Sequence, residues 1–145
     1  MEERREELAL RVEDAMRAYR GEVLNIGDPI SVALSHTRAS LETFLLIRDG
    51  SGKWRGIERD ELSRRASQIP NAAILRNLVH DDVIPHLHPD QPLDEALRRL
   101  GNQPFLPVVS RANWRKLEAV IALTDVLAAY RKAYLSRNDV LSEVE

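Results

Sequence analysis

The 145-residue chain contains no cysteine. That excludes a disulfide framework and thiolate chemistry, and it fits a reducing compartment. Long apolar runs are also absent. The longest are stretches such as AVIAL, Ala119 to Leu123, against the roughly 20 residues that a membrane-spanning helix requires. The N-terminus, MEERREELALRVEDAM, is charged from its second residue and has no apolar signal-peptide centre. Nor is there a basic excess: the formal net charge is −2, whereas a nucleic-acid partner needs a cationic stripe to neutralise phosphates. No Gly-rich phosphate cradle, no HExxH pair and no Ser/His/Asp order occurs, so no activated nucleophile is visible. The expectation is a non-enzymatic cytosolic piece without a nucleic-acid partner. If it serves a membrane protein, the membrane-spanning part lies outside these residues.

What is present is a globular composition, 43% apolar and 30% charged, in a length that suits one domain or two small pseudo-repeats around a shared core. EERREELALRVEDAMRAY is helix-rich by propensity, with Leu8, Val12, Ala15 and Tyr19 at helical spacing. EVLNIGDP reads as a short strand ended by a turn. Asp28 before Pro29 reads as a capping oxygen followed by a proline in the first turn. TFLLIRD, the turn GSGK and WRGIERDEL follow, then the linker SRRASQIPNAAILRN. A second pass begins with DDVIPHLHPD, a broken strand. Leu93, Ala96, Leu97 and Leu100 then form a helical apolar stripe, with acidic residues in its first turn, arginines in its last, and Gly101 as a stop. A final helix carries Leu127, Tyr130 and Tyr134 along one side.

The two passes match. FLLIRDGSGKWRGIERDEL, from Phe44, lies over FLPVVSRANWRKLEAVIALTDVL, from Phe105, with Trp54 over Trp114 and Leu62 over Leu127. An offset of about 60 residues signals an internal repeat. Each unit reads strand–helix–strand–strand–helix. Residues 8–67 form the first unit, 68–76 a linker, 77–135 the second unit and 136–145 a polar tail.

At this level the chain resembles a tandem pair of cystathionine-β-synthase (CBS) domains, a Bateman module. DDVIPHLHPDQPLDEALRRL is similar to the family's strand, Pro-Asp turn and Leu-x-x-Ala-Leu helix, and LPVV to its central strand. AVIALTDVL resembles its closing motif, a glycine, two apolar residues, a threonine, and an aspartate three residues further on. In the first unit, VEDAM is similar to the family's entry motif and GIERDEL to a degenerate form of its closing motif. The tail, VVSRANWRKLEAVIALTDVLAAYRKA, resembles the second repeat of the cytosolic CBS pair of CLC chloride channels and transporters. The linker bears some likeness to CBS pairs of site-2 membrane metalloproteases. The resemblance implies an α/β fold of two repeats in pseudo-twofold arrangement, each a small mixed sheet flanked by helices. It also implies a homodimer and a regulatory module on the cytoplasmic face of a membrane, serving a membrane domain of the same polypeptide.

It further implies ATP, ADP or AMP as ligand, with no metal, in clefts between the repeats. There the closing aspartate takes the ribose hydroxyls and the threonine faces the phosphates. Asp125 stands at the aspartate position, but Ala122 replaces the threonine and Ala119 the glycine. Two readings of Asp125 are open: a cap for the last helix alone, or a cap that also holds the ribose. In the first unit Arg59 or Glu58 falls at the hydroxyl position, the alignment leaves one or two residues missing, and Asp60 is the candidate carboxylate. The resemblance places Leu106 and Pro107 along the adenine edge, Ile84 on the ring, and Arg59 across the cleft towards phosphate. His86 and His88 share one side of a strand, but no further ligand completes a zinc set, so no metal is expected. Trp54 and Trp114 read as packing residues at matched turns. The alternatives are a purely structural dimerisation module with empty clefts, or the appendage of a membrane metalloprotease.

Overall fold

The computed structural model describes residues 9–69 and 73–144, with residues 138–144 as helical backbone only. In chain order its elements are β1 (Leu24–Asn25), α1 (Ile30–Ala39), β2 (Phe44–Arg48), β3 (Trp54–Glu58), α2 (Arg59–Gln68), α3 (Arg76–Val79), β4 (Val83–Ile84), α4 (Leu93–Leu100), β5 (Leu106–Val109), β6 (Leu117–Ile121) and α5 (Leu123–Val144). The fold is mixed α/β, as expected. The segment 136–145, read as a polar tail, continues α5 as far as Val144.

The helix expected across Val12, Ala15 and Tyr19 does not form; Leu8 lies outside the described residues. Only a single 3-10 turn, Val12–Asp14, is present. Beyond it the chain is extended, because Arg17 exchanges both backbone hydrogen bonds with Val120, at 2.9 and 2.8 Å. Helix propensity is a weak preference that a sheet edge overrides.

Two sheets result. The first has the order β1-β2-β3-β4, with β1 parallel to β2 and the other neighbours antiparallel. The second is the β5-β6 hairpin, flanked by Leu87 in parallel with Val108 and by Arg17 antiparallel to Val120. Each sheet thus has a short parallel edge, a hairpin and an antiparallel edge. The broken strand at DDVIPHLHPD breaks at Pro85, which sends Ile84 to the first sheet and Leu87 to the second.

The pairings establish the repeat residue by residue. Leu24 lies opposite Ile47 as Leu87 lies opposite Val108. Asn25 N–H donates to the Asp28 carboxylate at 2.9 Å, and His88 N–H to the Gln91 side-chain oxygen at 2.7 Å. Those bonds correct the capping role expected of Asp28: Pro29 and Pro92 precede their helices without any side-chain cap, and the polar residue closes the turn before the proline.

Both faces of β2 are buried. Phe44 and Leu46 face the second sheet's cluster, whereas Leu45 and Ile47 pack with Ala33, Leu62 and Val79 under the helices. That period of two explains the continuous apolar run FLLI. The matched residues Phe44 and Phe105 meet edge to face, ring centroids 5.2 Å apart, between the sheets. Gly56 makes room for this: an added Cβ there would lie 2.3 Å from the Phe44 ring.

Candidate functional site

The ladder registers correct the alignment of the closing motifs. Leu45 pairs with Ile57, and Leu106 with Ile121. Ile57 therefore corresponds to Ile121, Glu58 to Ala122, Glu61 to Asp125, and buried Leu62 to buried Val126. No residue is missing from the first unit. Its counterpart of Asp125 is Glu61, whereas Asp60 is exposed. Leu127 is exposed and is not the partner of Leu62. A bulge between Val108 and Val109 lets the second hairpin carry an extra residue, so Trp54 corresponds to Leu117 and not to Trp114.

Asp125 is the third residue of α5, and its Oδ2 accepts the Ala122 N–H at 2.8 Å. The carboxylate therefore satisfies the donor just before the helix from within the first turn, the acidic half of a capping box, and is not itself the N-cap. The same oxygen lies 3.6 Å from Arg17 Nε. Arg17 Nη1 in turn stands 3.4 Å from Glu42 Oε1, which also accepts the Arg20 N–H at 2.9 Å. Arg17, Ala18, Arg20, Leu41 and Glu42 line a cavity of about 530 Å³, within the range of small-ligand sites. Leu41, 79% exposed on its rim, is an apolar residue without a core.

The other expected site residues divide. Arg59 opens α2; its N–H donates to the Thr43 carbonyl at 2.8 Å, and its Nη1 lies 3.5 Å from the Ser40 carbonyl. It stands against the same α1–β2 loop that carries Leu41 and Glu42. Leu106 is fully buried in the core, and the Pro107 carbonyl already accepts the Leu87 N–H at 3.0 Å. Ile84 pairs with Trp54 in the first sheet and is buried. On the edge beside Asp125, the corresponding segment is Arg17–Tyr19. Sequence reasoning missed that segment because it was assigned to a helix.

The first unit's equivalent position is tied differently. Arg64 and Arg65 both bond Glu61, and Arg65 Nη1 reaches Asp82 at 2.6 Å. The hydrogen bonds from Arg64 and then Arg65 hold the Glu61 carboxyl at about 2. Asp82 stands where Arg17 stands in the other unit, since Asp82 accepts from Gly56 and Arg17 from Val120.

His86 and His88 do share a side, ring centroids 5.1 Å apart, and Trp114 lies 4.7 Å from His86. His88 is buried, with Nδ1 3.0 Å from the Val109 carbonyl. Burial, then His88 and Arg99, lower the His86 pKa. Among the described residues no group of three or more His, Cys, Asp or Glu is placed to hold a metal ion. Trp54 is fully buried, and its indole N–H donates to the Trp114 carbonyl at 2.9 Å.

No family model matches the sequence, and no curated protein matches it. Solved structures do. A CBS domain-containing protein of unknown function from Bacillus anthracis superposes with a TM-score of 0.67 at 16% identity, over 88% of this chain and 98% of that one. The fold is that of a CBS domain pair. CbpB in complex with c-di-AMP superposes on this chain with a TM-score of 0.68 at 13% identity, over 95% of each chain. CBSX2 in complex with AMP does so with a TM-score of 0.60 at 18% identity, over 84% of this chain and 96% of that one.

Proposed function

We propose that this CBS pair is a non-enzymatic regulatory module that binds an adenine nucleotide weakly in the Asp125 cleft. The observation that carries the reading is the cavity bordered by Arg17, Arg20 and the exposed Leu41, whose wall residue Arg17 lies 3.6 Å from Asp125. It lies in a fold whose solved neighbours include complexes with AMP and c-di-AMP. Asp125 supplies an acceptor for ribose hydroxyls, Leu41 an apolar surface for the base, and Arg17 and Arg20 the charge for phosphate. With Ala122 in place of a hydroxyl residue, one polar contact is lost. A lost charge-assisted hydrogen bond costs roughly 1.5–3 kcal/mol, a ten- to hundredfold loss of affinity.

Calorimetric titration with ATP, ADP and AMP should give dissociation constants of about 0.1–1 mM. Asp125→Ala should abolish the heat and loosen α5. Asp125→Asn, which still accepts the Ala122 N–H, should weaken binding at least about tenfold without unfolding the helix. Absence of heat with all three nucleotides at millimolar concentration would sink the sensing reading. The second reading, a structural dimerisation module, would then stand; the contact of Arg17 with Asp125 favours it. Attachment to a CLC channel or transporter, on the cytoplasmic face of a membrane, is part of the proposal and rests on the resemblance of the tail. Many spans in the full gene product support it; an HExxH-bearing membrane domain replaces it with the protease reading.

A further inference from the structure

Two carboxylates in the Asp125 cleft share one cation. Arg17 lies 3.4 Å from Glu42 and 3.6 Å from Asp125, both longer than the roughly 2.7–2.9 Å of a well-formed guanidinium–carboxylate bond. Glu42 is 8% exposed and held in place: its Oε1 accepts the Arg20 N–H and its own N–H donates to Ser40 Oγ. Asp125 is fixed through the Ala122 N–H. The Arg17 main chain is fixed by its paired bonds to Val120, while its guanidinium rests over the Phe105 ring, 5.3 Å from the centroid. The Arg17 guanidinium also donates to the Ala18 carbonyl at 3.2 Å, so of the three charged groups it alone is held only by long contacts on a half-exposed side chain. Among the described residues the Arg20 guanidinium has no carboxylate partner at the cavity wall.

We propose that Arg17 is a specificity-determining residue of this cleft, covering Asp125 against ligands that offer hydroxyls alone and yielding to ligands that also bring an anion. The inference rests on the nucleotide-binding reading given above. A nucleoside that takes the Asp125 oxygen facing Arg17 displaces Arg17 from it, which leaves the guanidinium without half of its counter-charge. A nucleotide repairs that loss, because its phosphate receives the displaced guanidinium together with Arg20. The ligand class is thus one with vicinal hydroxyls and a phosphate in the same molecule. Electrostatic selection here comes from a penalty on the wrong ligand as much as from attraction to the right one.

The test compares AMP with adenosine by calorimetry on the wild type, Arg17→Ala and Arg17→Lys, each checked for folding by its thermal melt. In Arg17→Ala, adenosine should bind about fivefold more tightly, the worth of a freed ion pair near the surface, while AMP weakens, so that the preference for AMP collapses. In Arg17→Lys, adenosine should also tighten, because a single ammonium does not span both carboxylates, yet AMP should keep most of its affinity. Adenosine unchanged in Arg17→Ala, with AMP weakened, makes Arg17 an ordinary phosphate contact and overturns the inference. Equal loss of both ligands in a folded Arg17→Ala assigns it to shaping the cleft and overturns it as well. No binding of either ligand to any of the three proteins overturns the nucleotide-binding reading itself, and the inference with it.

Discussion

Asp49 and Arg55 are 7% and 5% exposed, and their side chains meet at 2.6 Å at the turn end of the first hairpin. Burial would raise the Asp49 carboxyl, but bonds from the Ser51 hydroxyl and the Arg55 guanidinium outweigh it, and the carboxyl sits at about 2 against an ordinary 3.8. A carboxyl depressed on folding stabilises the native state above its unfolded pKa and ceases to do so as pH falls through its folded pKa. The contribution, about 2 kcal/mol, is therefore complete near neutrality and is lost between about pH 4 and pH 2. Asp49→Asn should lower stability by about 3 kcal/mol at pH 7, because Arg55 is left buried without its counter-charge. Denaturant unfolding of both proteins across that range should show their stabilities converging towards pH 2. A difference that stays constant with pH would show that the pair is not the titrating element. Nothing in the sequence marks this pair. Six residues apart, it is brought together by the turn of the hairpin.

The two hairpin turns are joined as elements. The longer turn of the second hairpin reaches the first: Trp54 Nε1 donates to the Trp114 carbonyl, Arg48 Nη1 to the Arg115 carbonyl at 2.7 Å, and Arg115 Nη2 to the Gly50 carbonyl at 2.6 Å. The acceptors are main-chain groups, so the Trp114 side chain contributes its contact with the two histidines and its approach to Gly52. The two tryptophans, which align in the sequence, should therefore behave unequally. Trp54→Phe should cost about 2–3 kcal/mol through a lost bond and a smaller core residue, and Trp114→Phe less than about 1 kcal/mol. Urea denaturation of the two variants decides this, and equal losses would refute the assignment. The mismatch also shows where the sequence misleads. Aromatic identity is conspicuous in a linear comparison, whereas the bulge that shifts the second hairpin has no residue signature. The same shift hid Glu61 as the counterpart of Asp125 and suggested Asp60 instead.

At the scale of the molecule, α4 and α5 present an apolar strip that no other described residue covers. Leu97, Leu123, Leu127, Tyr134 and Leu135 are all exposed, with Leu123, Leu127 and Tyr134 on one side of α5. The stripe expected from Leu93, Ala96, Leu97 and Leu100 is otherwise consumed within the core. A second copy is the simplest cover, since an isologous contact pairs the strip with itself. The chain should scatter light as a dimer at micromolar concentration, and Leu127→Asp should give a monomer with an almost unchanged melting temperature. A monomeric wild type at high micromolar concentration would remove the proposed dimer.

The two hairpins, the helices that follow them and the equivalence of Phe44 with Phe105 were legible in the sequence, because they rest on apolar periodicity and turn residues; the edge-to-face meeting of the two rings was not. The cleft was legible only at Asp125 and, loosely, Arg59. Its remaining wall, Arg17 to Arg20, was obscured because a segment of good helix formers is held extended by partners a hundred residues away.

Each sheet borrows its last edge from the opposite half of the chain: β4 closes the first sheet and Arg17 the second. A half severed from the other would keep a hairpin with an open flank, ready to pair with any strand that passes. The halves are therefore duplicates in shape but not modules that can be dealt out singly. The linker makes that exchange of edges internal to one chain.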